Sequence, residues 1–157
     1  MKKEFERNYT NGSYIQEGEI VRILKQICKG YKVLYQNKII HRDIKPENIL
    51  LSKGVYKIAD FGFGRFVNDP EEISMKTMLG SPIYASPQIL KKEPYSAKCD
   101  IWSLGILLYQ LLYFKYPFDI KTVQELRAIV PLVKITIPPS PHRSIQMTAL
   151  LASMLEI

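Results

Sequence analysis

Residues 41–62 read HRDIKPENILLSKGVYKIADFG, and the rest of the chain is best understood outward from them. Two short apolar runs, Ile49-Leu50-Leu51 and Tyr56-Lys57-Ile58-Ala59, are strand-like and predict a small hairpin. Around that hairpin the sequence sets His41, Arg42, Asp43, Lys45, Asn48 and Asp60. Asp, Asn, Gly and Pro are common in turns for conformational reasons alone, so the triplet Asp60-Phe61-Gly62 by itself means little. Two polar strings in this order, joined by strand-like runs, point instead to a chemical site, with Asp43 and Asp60 as its carboxylates.

The first string resembles the catalytic loop H-R-D-L-x-x-x-N of eukaryotic protein kinases, with Ile44 in place of Leu, and the second is the metal-binding triplet that follows it. Moving a γ-phosphoryl group requires a carboxylate beside the attacking hydroxyl, a cation near the phosphate and oxygen ligands for Mg²⁺. The resemblance implies that Asp43 orients a protein hydroxyl and takes its proton, while Lys45 neutralises charge on the moving phosphate. It implies that Asn48 and Asp60 ligate Mg²⁺, that Leu50 lies under the adenine of ATP, and that His41 is a structural support. Lys45, two residues after the aspartate, marks serine/threonine rather than tyrosine kinases. Glu47 is expected near the substrate peptide, where it favours a basic residue.

The composition is compatible with one domain over residues 1–157, 46% apolar and 11% aromatic, with enough material for a core. Cys28 and Cys99 lie far apart in no metal-ligand spacing and are expected as buried thiols in a reducing compartment. The start, MKKEFERNYTNG, lacks the apolar segment of a signal peptide, so an intracellular, cytoplasmic location is expected. Lys and Arg exceed Asp and Glu by seven. No continuous basic run or nucleic-acid motif accompanies the excess, so no nucleic-acid partner is predicted.

Ile20, Ile23, Leu24, Ile27, Tyr31 and Leu34 recur at helical spacing and predict an amphipathic helix ending near Asn37. Lys2 to Asn8 reads as a first helix, broken by Asn11-Gly12-Ser13. Residues 101–112, IWSLGILLYQLL, are apolar on nearly all sides, which predicts a core helix; the run is too short to span a bilayer. By resemblance this is the central helix of the larger kinase lobe, and Asp100 braces the backbone of the catalytic loop. A helix is predicted from about Thr122 to Ile129, a loop at Pro138-Pro139-Ser140-Pro141, and a last helix from about Ser144. The fold class expected is mainly α.

Residues 63–88 resemble an activation segment and a substrate-positioning loop, GSPIYASPQ. The resemblance gives Arg42 the role of docking cation for a phosphate on that segment, with Thr77 as the regulatory site of an upstream activating kinase and Ser74 as a weaker candidate. Ser81 takes the place of the small hydroxyl residue that bonds the catalytic Asp and Lys, and Phe63 leans toward serine as phosphoacceptor. ADFGFGRF with MLGSPIYASPQIL looks closest to the autophagy-initiating ULK/Atg serine/threonine kinases, with calcium/calmodulin-type kinases next. The family's A-P-E appears as Ser86-Pro87-Gln88, a neutral amide where the family has a carboxylate.

No G-x-G-x-x-G and no V-A-I-K string precedes His41. The resemblance therefore covers the C-terminal lobe of the family, with the N-terminal lobe absent. Two functions follow as expectations. One is ATP-dependent phosphorylation of protein Ser/Thr residues, its stand-alone form compromised by the missing lobe. The other is a non-catalytic, pseudokinase-like module that binds or regulates.

Overall fold

The computed structural model describes residues 14–73, 80–120, 122–130, 132 and 134–156. Within them helix dominates: α1 Glu17–Gln36, α2 Pro87–Lys91, α3 Lys98–Tyr113, α4 Val123–Ile129 and α5 Ile145–Met154. Four short strands accompany them, β1 Ile39–Ile40, β2 Ile49–Ser52, β3 Val55–Ile58 and β4 Arg65–Phe66, with 3₁₀ turns at Pro46–Asn48 and Pro82–Tyr84. The expectations for Lys2 to Asn8, for Asn11-Gly12-Ser13, and for Ser74 and Thr77 fall outside the described residues.

Helix α3 is the axis of the core. Every residue from Trp102 to Tyr113 is buried, as its all-round apolar sequence demands, and no helix among the described residues is long and apolar enough to cross a membrane. Two of its polar groups bond outside the helix, Ser103 Oγ donating to Tyr84 O (2.8 Å) and Tyr109 OH to Thr136 O (3.2 Å), while the buried Trp102 Nε1 and Tyr113 OH have no partner among the described residues. Gly105 lets α5 come close. A Cβ built there would stand 2.6 Å from Leu155 Cδ2 and 3.1 Å from Met154 Cβ.

Helix α1 packs one face on this core through Ile20, Ile23, Leu24, Ile27 and Tyr31, with Leu34 partly buried beside them. It ends as the pattern predicts, at Gln36, where the Asn37 amide donates to Val33 O (2.8 Å). Cys99 is buried in α3, and burial pushes its thiol pKa up. Cys28 corrects the expectation of two buried thiols: it is exposed, because it falls outside the face made by Ile23, Leu24, Ile27 and Tyr31.

The predicted hairpin is present as the antiparallel pair β2–β3, with Ile49 opposite Ile58 and Leu50 opposite Lys57. Ala59, one residue beyond β3, continues the register with one bond, its N–H donating to Asn48 O (2.8 Å). A second pairing, Ile39 with Phe66 and Ile40 with Arg65, joins the entrance of the 41–62 stretch to the segment after it. Two-residue strands leave no periodic signal, and sequence reading gave no sign of this one.

Helices α4 and α5 start where their hydroxyl caps stand. Thr122 Oγ1 accepts from Glu125 N (3.1 Å) and Ser144 Oγ from Met147 N (3.2 Å). Ser144 is also bonded through its hydroxyl and its N–H (2.9 Å) to the Glu17 carboxylate, while Arg143 donates to Ile15 O and Leu112 O, so the start of α1 is tied to the start of α5. The hydrogen bonds from Ser144 hold the Glu17 carboxyl below the usual carboxylate range. A carboxylate with a depressed folded-state pKa contributes stability above its unfolded pKa and loses it as pH falls through the folded one. Ser144→Ala is expected to cost about 1 kcal/mol, on the scale of other N-cap losses. In thermal unfolding scans, Glu17→Gln should flatten the acid limb below pH ~4.3, the unperturbed Glu value.

Candidate active site

The site is assembled from α3 outward. Asp100, in the first turn of α3, is fully buried, and its carboxylate accepts from His41 N through Oδ2 and from Arg42 N through Oδ1, both at 2.8 Å. Burial raises the Asp100 pKa, and these two N–H donors, with the guanidinium charge of Arg42, act against that rise. The pair of bonds clamps the chain at the turn where Arg42 adopts φ 66°, a left-handed conformation uncommon for a side chain of this size.

His41 is buried beside the clamp. Its Nε2 lies 3.1 Å from Ala59 O, its Nδ1 is 3.3 Å from Asp43 N, and its ring meets Phe61 edge-on with centroids 5.4 Å apart. With Nδ1 accepting from Asp43 N, the proton belongs on Nε2, where it donates to Ala59 O. One imidazole thus ties the loop bearing Asp43 to the residue preceding Asp60.

Asp43 is itself 3% exposed and has both oxygens engaged. Oδ1 accepts from Ser81 N (2.9 Å), and Oδ2 accepts from Lys45 Nζ (2.7 Å) and Asn48 Nδ2 (2.9 Å). Lys45 reaches on to Ser81 Oγ at 2.9 Å. Asn48 Nδ2 also donates to Asp43 O (2.8 Å), so the atom of this amide left for a cation is its carbonyl oxygen. Asp60 sits at φ 63° and is exposed, with Oδ1 accepting from Gly62 N (3.2 Å). Its neighbour Ala59 bonds the Asn48 backbone, which brings the Asn48 and Asp60 backbones alongside each other. An amide oxygen and an exposed carboxylate are a donor set suited to Mg²⁺ that keeps phosphate oxygens as further ligands. Among the described residues no three His, Cys, Asp or Glu side chains cluster as a self-sufficient metal site.

Ser81 opens the loop that lies against Asp43. That approach depends on Gly80, at φ 83°: a Cβ there would stand 2.4 Å from Arg42 O and 3.0 Å from Asp43 Oδ1. Past it, Tyr84 anchors the loop to α3, its carbonyl accepting from Ser103 and its hydroxyl donating to Gln110 Oε1 (2.7 Å) beside Tyr116 OH (3.4 Å). Burial raises the Tyr84 pKa. Gly80, Ser103, Tyr84 and Gln110 are structural contributors that the sequence reading passed over; a glycine directly before Ser81 was the available signal.

The remaining predicted residues are placed as follows. Arg42 Nε donates to Phe63 O (2.7 Å), and its side chain also bonds the Tyr95 hydroxyl, so its guanidinium faces the segment that follows Gly62. Glu47 is exposed on the 3₁₀ turn, near enough to Tyr84 to raise the pKa of its hydroxyl. Leu50 is 52% exposed on β2. Thr77 lies outside the described residues. Gln88, in the first turn of α2, lines a cavity of about 600 Å³ together with Tyr31, Ala97 and Trp102.

A buried aspartate, held by a lysine, an asparagine and a loop N–H and braced from a central helix, forms the centre of the candidate site. The chain belongs to the protein kinase family: the family model described as the protein kinase domain matches residues 1–157. Its relatives carry the finer description. Serine/threonine-protein kinase Nek1 of Mus musculus is 38% identical over 149 residues, covering 94% of this chain and 12% of the relative. Serine/threonine-protein kinase Nek5 of Homo sapiens is 37% identical over 153 residues (96% and 21%), and serine/threonine-protein kinase atg1 of Dictyostelium discoideum 36% over 158 residues (98% and 23%). All three of these relatives are named as serine/threonine-protein kinases. It spans less than a quarter of the length of each of these three relatives. The expected likeness to ULK/Atg kinases is met in part, since Nek kinases match at a comparable identity.

Proposed function

We propose that residues 1–157 form the C-terminal lobe of a serine/threonine kinase domain and carry the transfer of the ATP γ-phosphate to a protein Ser or Thr hydroxyl. The observation that carries this reading is the setting of Asp43. A base held on both oxygens, with a cation 2.7 Å away, needs little reorganisation when a hydroxyl arrives. Asp43 orients the hydroxyl and accepts its proton. Lys45, already between Asp43 and Ser81, stabilises charge at the entering phosphate, and Ser81 sets where the acceptor segment lies. Glu47 favours a basic substrate residue, and Leu50 supplies the apolar surface under the adenine. When bound through Asn48 and Asp60, Mg²⁺ neutralises the nucleotide phosphates.

Arg42 is the docking point for a phosphate on Thr77, placed there by an upstream kinase, and the location proposed is the cytoplasm. Within the family we favour the ULK/Atg group on the strength of ADFGFGRF and MLGSPIYASPQIL. A non-catalytic binding role is the second reading, favoured by Gln88, which cannot form the ion pair that the family's carboxylate forms. Thermal unfolding with and without Mg·ATP separates the two. A rise in Tm that Asp60→Ala removes supports the nucleotide site. An unchanged Tm in wild type overturns the catalytic reading of this chain, and an equal rise in the variant overturns the metal assignment.

A further inference from the structure

The seven-charge excess of cations in the chain has no role in the site described above. Part of it is organised. Lys25, Lys29 and Lys32 lie at i, i+4 and i+7 on α1, all exposed, on the side opposite Ile20, Ile23, Leu24, Ile27 and Tyr31. They form one stripe about 10 Å long. Among the described residues none of the three has a hydrogen bond or an ion pair, and from residue 20 to residue 36 the helix contains no acid at all. Like charges at these spacings repel, and nothing on the helix relieves the repulsion.

Carboxylates bound the stripe. At its N-terminal end Glu19 is bonded to Arg22 at 2.6 and 2.7 Å, and at its C-terminal end Tyr35 donates to the Glu71 carboxylate, with Asp69 nearby. An extended anionic surface such as a bilayer or a duplex would be pressed against those acids as well as against the lysines. A short acidic segment fits between them. The i, i+4, i+7 spacing matches that of acidic side chains along one face of a helix, and Val33, 57% exposed one residue past Lys32, offers an apolar contact at the margin.

We propose that the Lys25–Lys29–Lys32 face of α1 is a docking surface for an acidic helical segment of a partner protein. The test uses the whole chain and two peptides of one composition, an alanine-glutamine host with glutamates at i, i+4 and i+7 or with the same glutamates spread round the helix. Fluorescence anisotropy at low salt should show roughly tenfold tighter binding of the one-faced peptide, steeply weakened by added salt. The triple variant Lys25→Glu, Lys29→Glu, Lys32→Glu should lose that preference, while the charge-matched Lys91→Glu, Lys92→Glu, Lys134→Glu should keep it. Circular dichroism of both variants verifies the helices, and the milder Lys25→Gln, Lys29→Gln pair serves if the triple variant does not fold. Equal binding of the two peptides, or equal losses in the two triple variants, overturns the proposal in favour of unspecific net charge. So does stripe-dependent binding of phosphatidylserine vesicles without peptide preference, or stripe-dependent self-association.

Discussion

Asp43→Ala, in a protein carrying this segment within its complete kinase domain, is expected to abolish phosphoryl transfer while leaving nucleotide affinity within a factor of a few. The variant removes the group proposed to orient the acceptor hydroxyl. General-base action contributes about 10²–10⁴-fold in rate, and loss of the orienting carboxylate adds to that. It also frees Lys45 Nζ and Asn48 Nδ2 from Asp43 Oδ2, and Ser81 N from Oδ1, so the positioning loop loses one of its attachments. The signature is a fall in kcat of several orders of magnitude with an Mg·ATP-dependent Tm rise retained. Asp60→Ala should instead weaken the Mg·ATP-dependent Tm rise, and a fall in kcat of less than tenfold for Asp43→Ala would remove it from the role of base.

The largest effect on stability is expected from Asp100→Ala. The variant leaves two backbone N–H groups, those of His41 and Arg42, without their acceptor at a site from which water is excluded. Breaking a buried charged network by removing one partner costs on the order of 3–5 kcal/mol. For a chain of this size that is a fall in Tm of roughly 10 °C or more, visible in calorimetry. The consequence for chemistry is indirect, because Asp100 bonds the His41 and Arg42 backbone, with Cys99 Sγ 3.9 Å from its Oδ1, and does not reach Asp43 itself. Asp100→Asn discriminates a positioning role from bulk destabilisation: its carbonyl oxygen preserves one of the two bonds, and its amide opposes the second N–H donor to donor. It should therefore recover part of the Tm while kcat stays well below wild type. Full recovery of kcat with Asn would show that the second bond does not position the loop.

The parts of the site legible in the sequence are those whose chemistry is local. Asp43, Lys45 and Asn48 fall within six residues, and the 3₁₀ turn Pro46–Asn48 is enough to fold the last of them back onto the first. The apolar run after Asp100 predicts a core helix, but the bracing role of Asp100 itself comes only from the family resemblance. Contacts made by backbone across long separations were not legible. The resemblance predicts that the Ser81 hydroxyl bonds both Asp43 and Lys45; the hydroxyl takes Lys45, but Asp43, 38 residues away, is reached by the Ser81 N–H, a group that any residue type presents. The two-residue pairing of Ile39–Ile40 with Arg65–Phe66 has no periodicity to detect, and Cys28 was misplaced because composition alone cannot say which side of α1 a thiol takes. Helices α1 and α3 were legible because their patterns are opposite extremes, one face apolar in the first and nearly all faces in the second.

The hydrogen atom that serves as the side chain of Gly80 makes visible the seam between two segments tethered at different points of α3. The loop beyond it is held by Ser103 and Gln110 on α3, and the Arg42–Asp43 turn is held by Asp100 on the same helix, so each piece keeps its own tether whatever happens at the seam. A single methyl group at residue 80, 2.4 Å from the Arg42 carbonyl, is a wedge that parts acceptor positioning from proton acceptance without unfolding either. On the function proposed above, the catalytic floor is therefore a joint between two halves of one surface, and its closure can be lost by a fraction of an ångström while every helix stays in place.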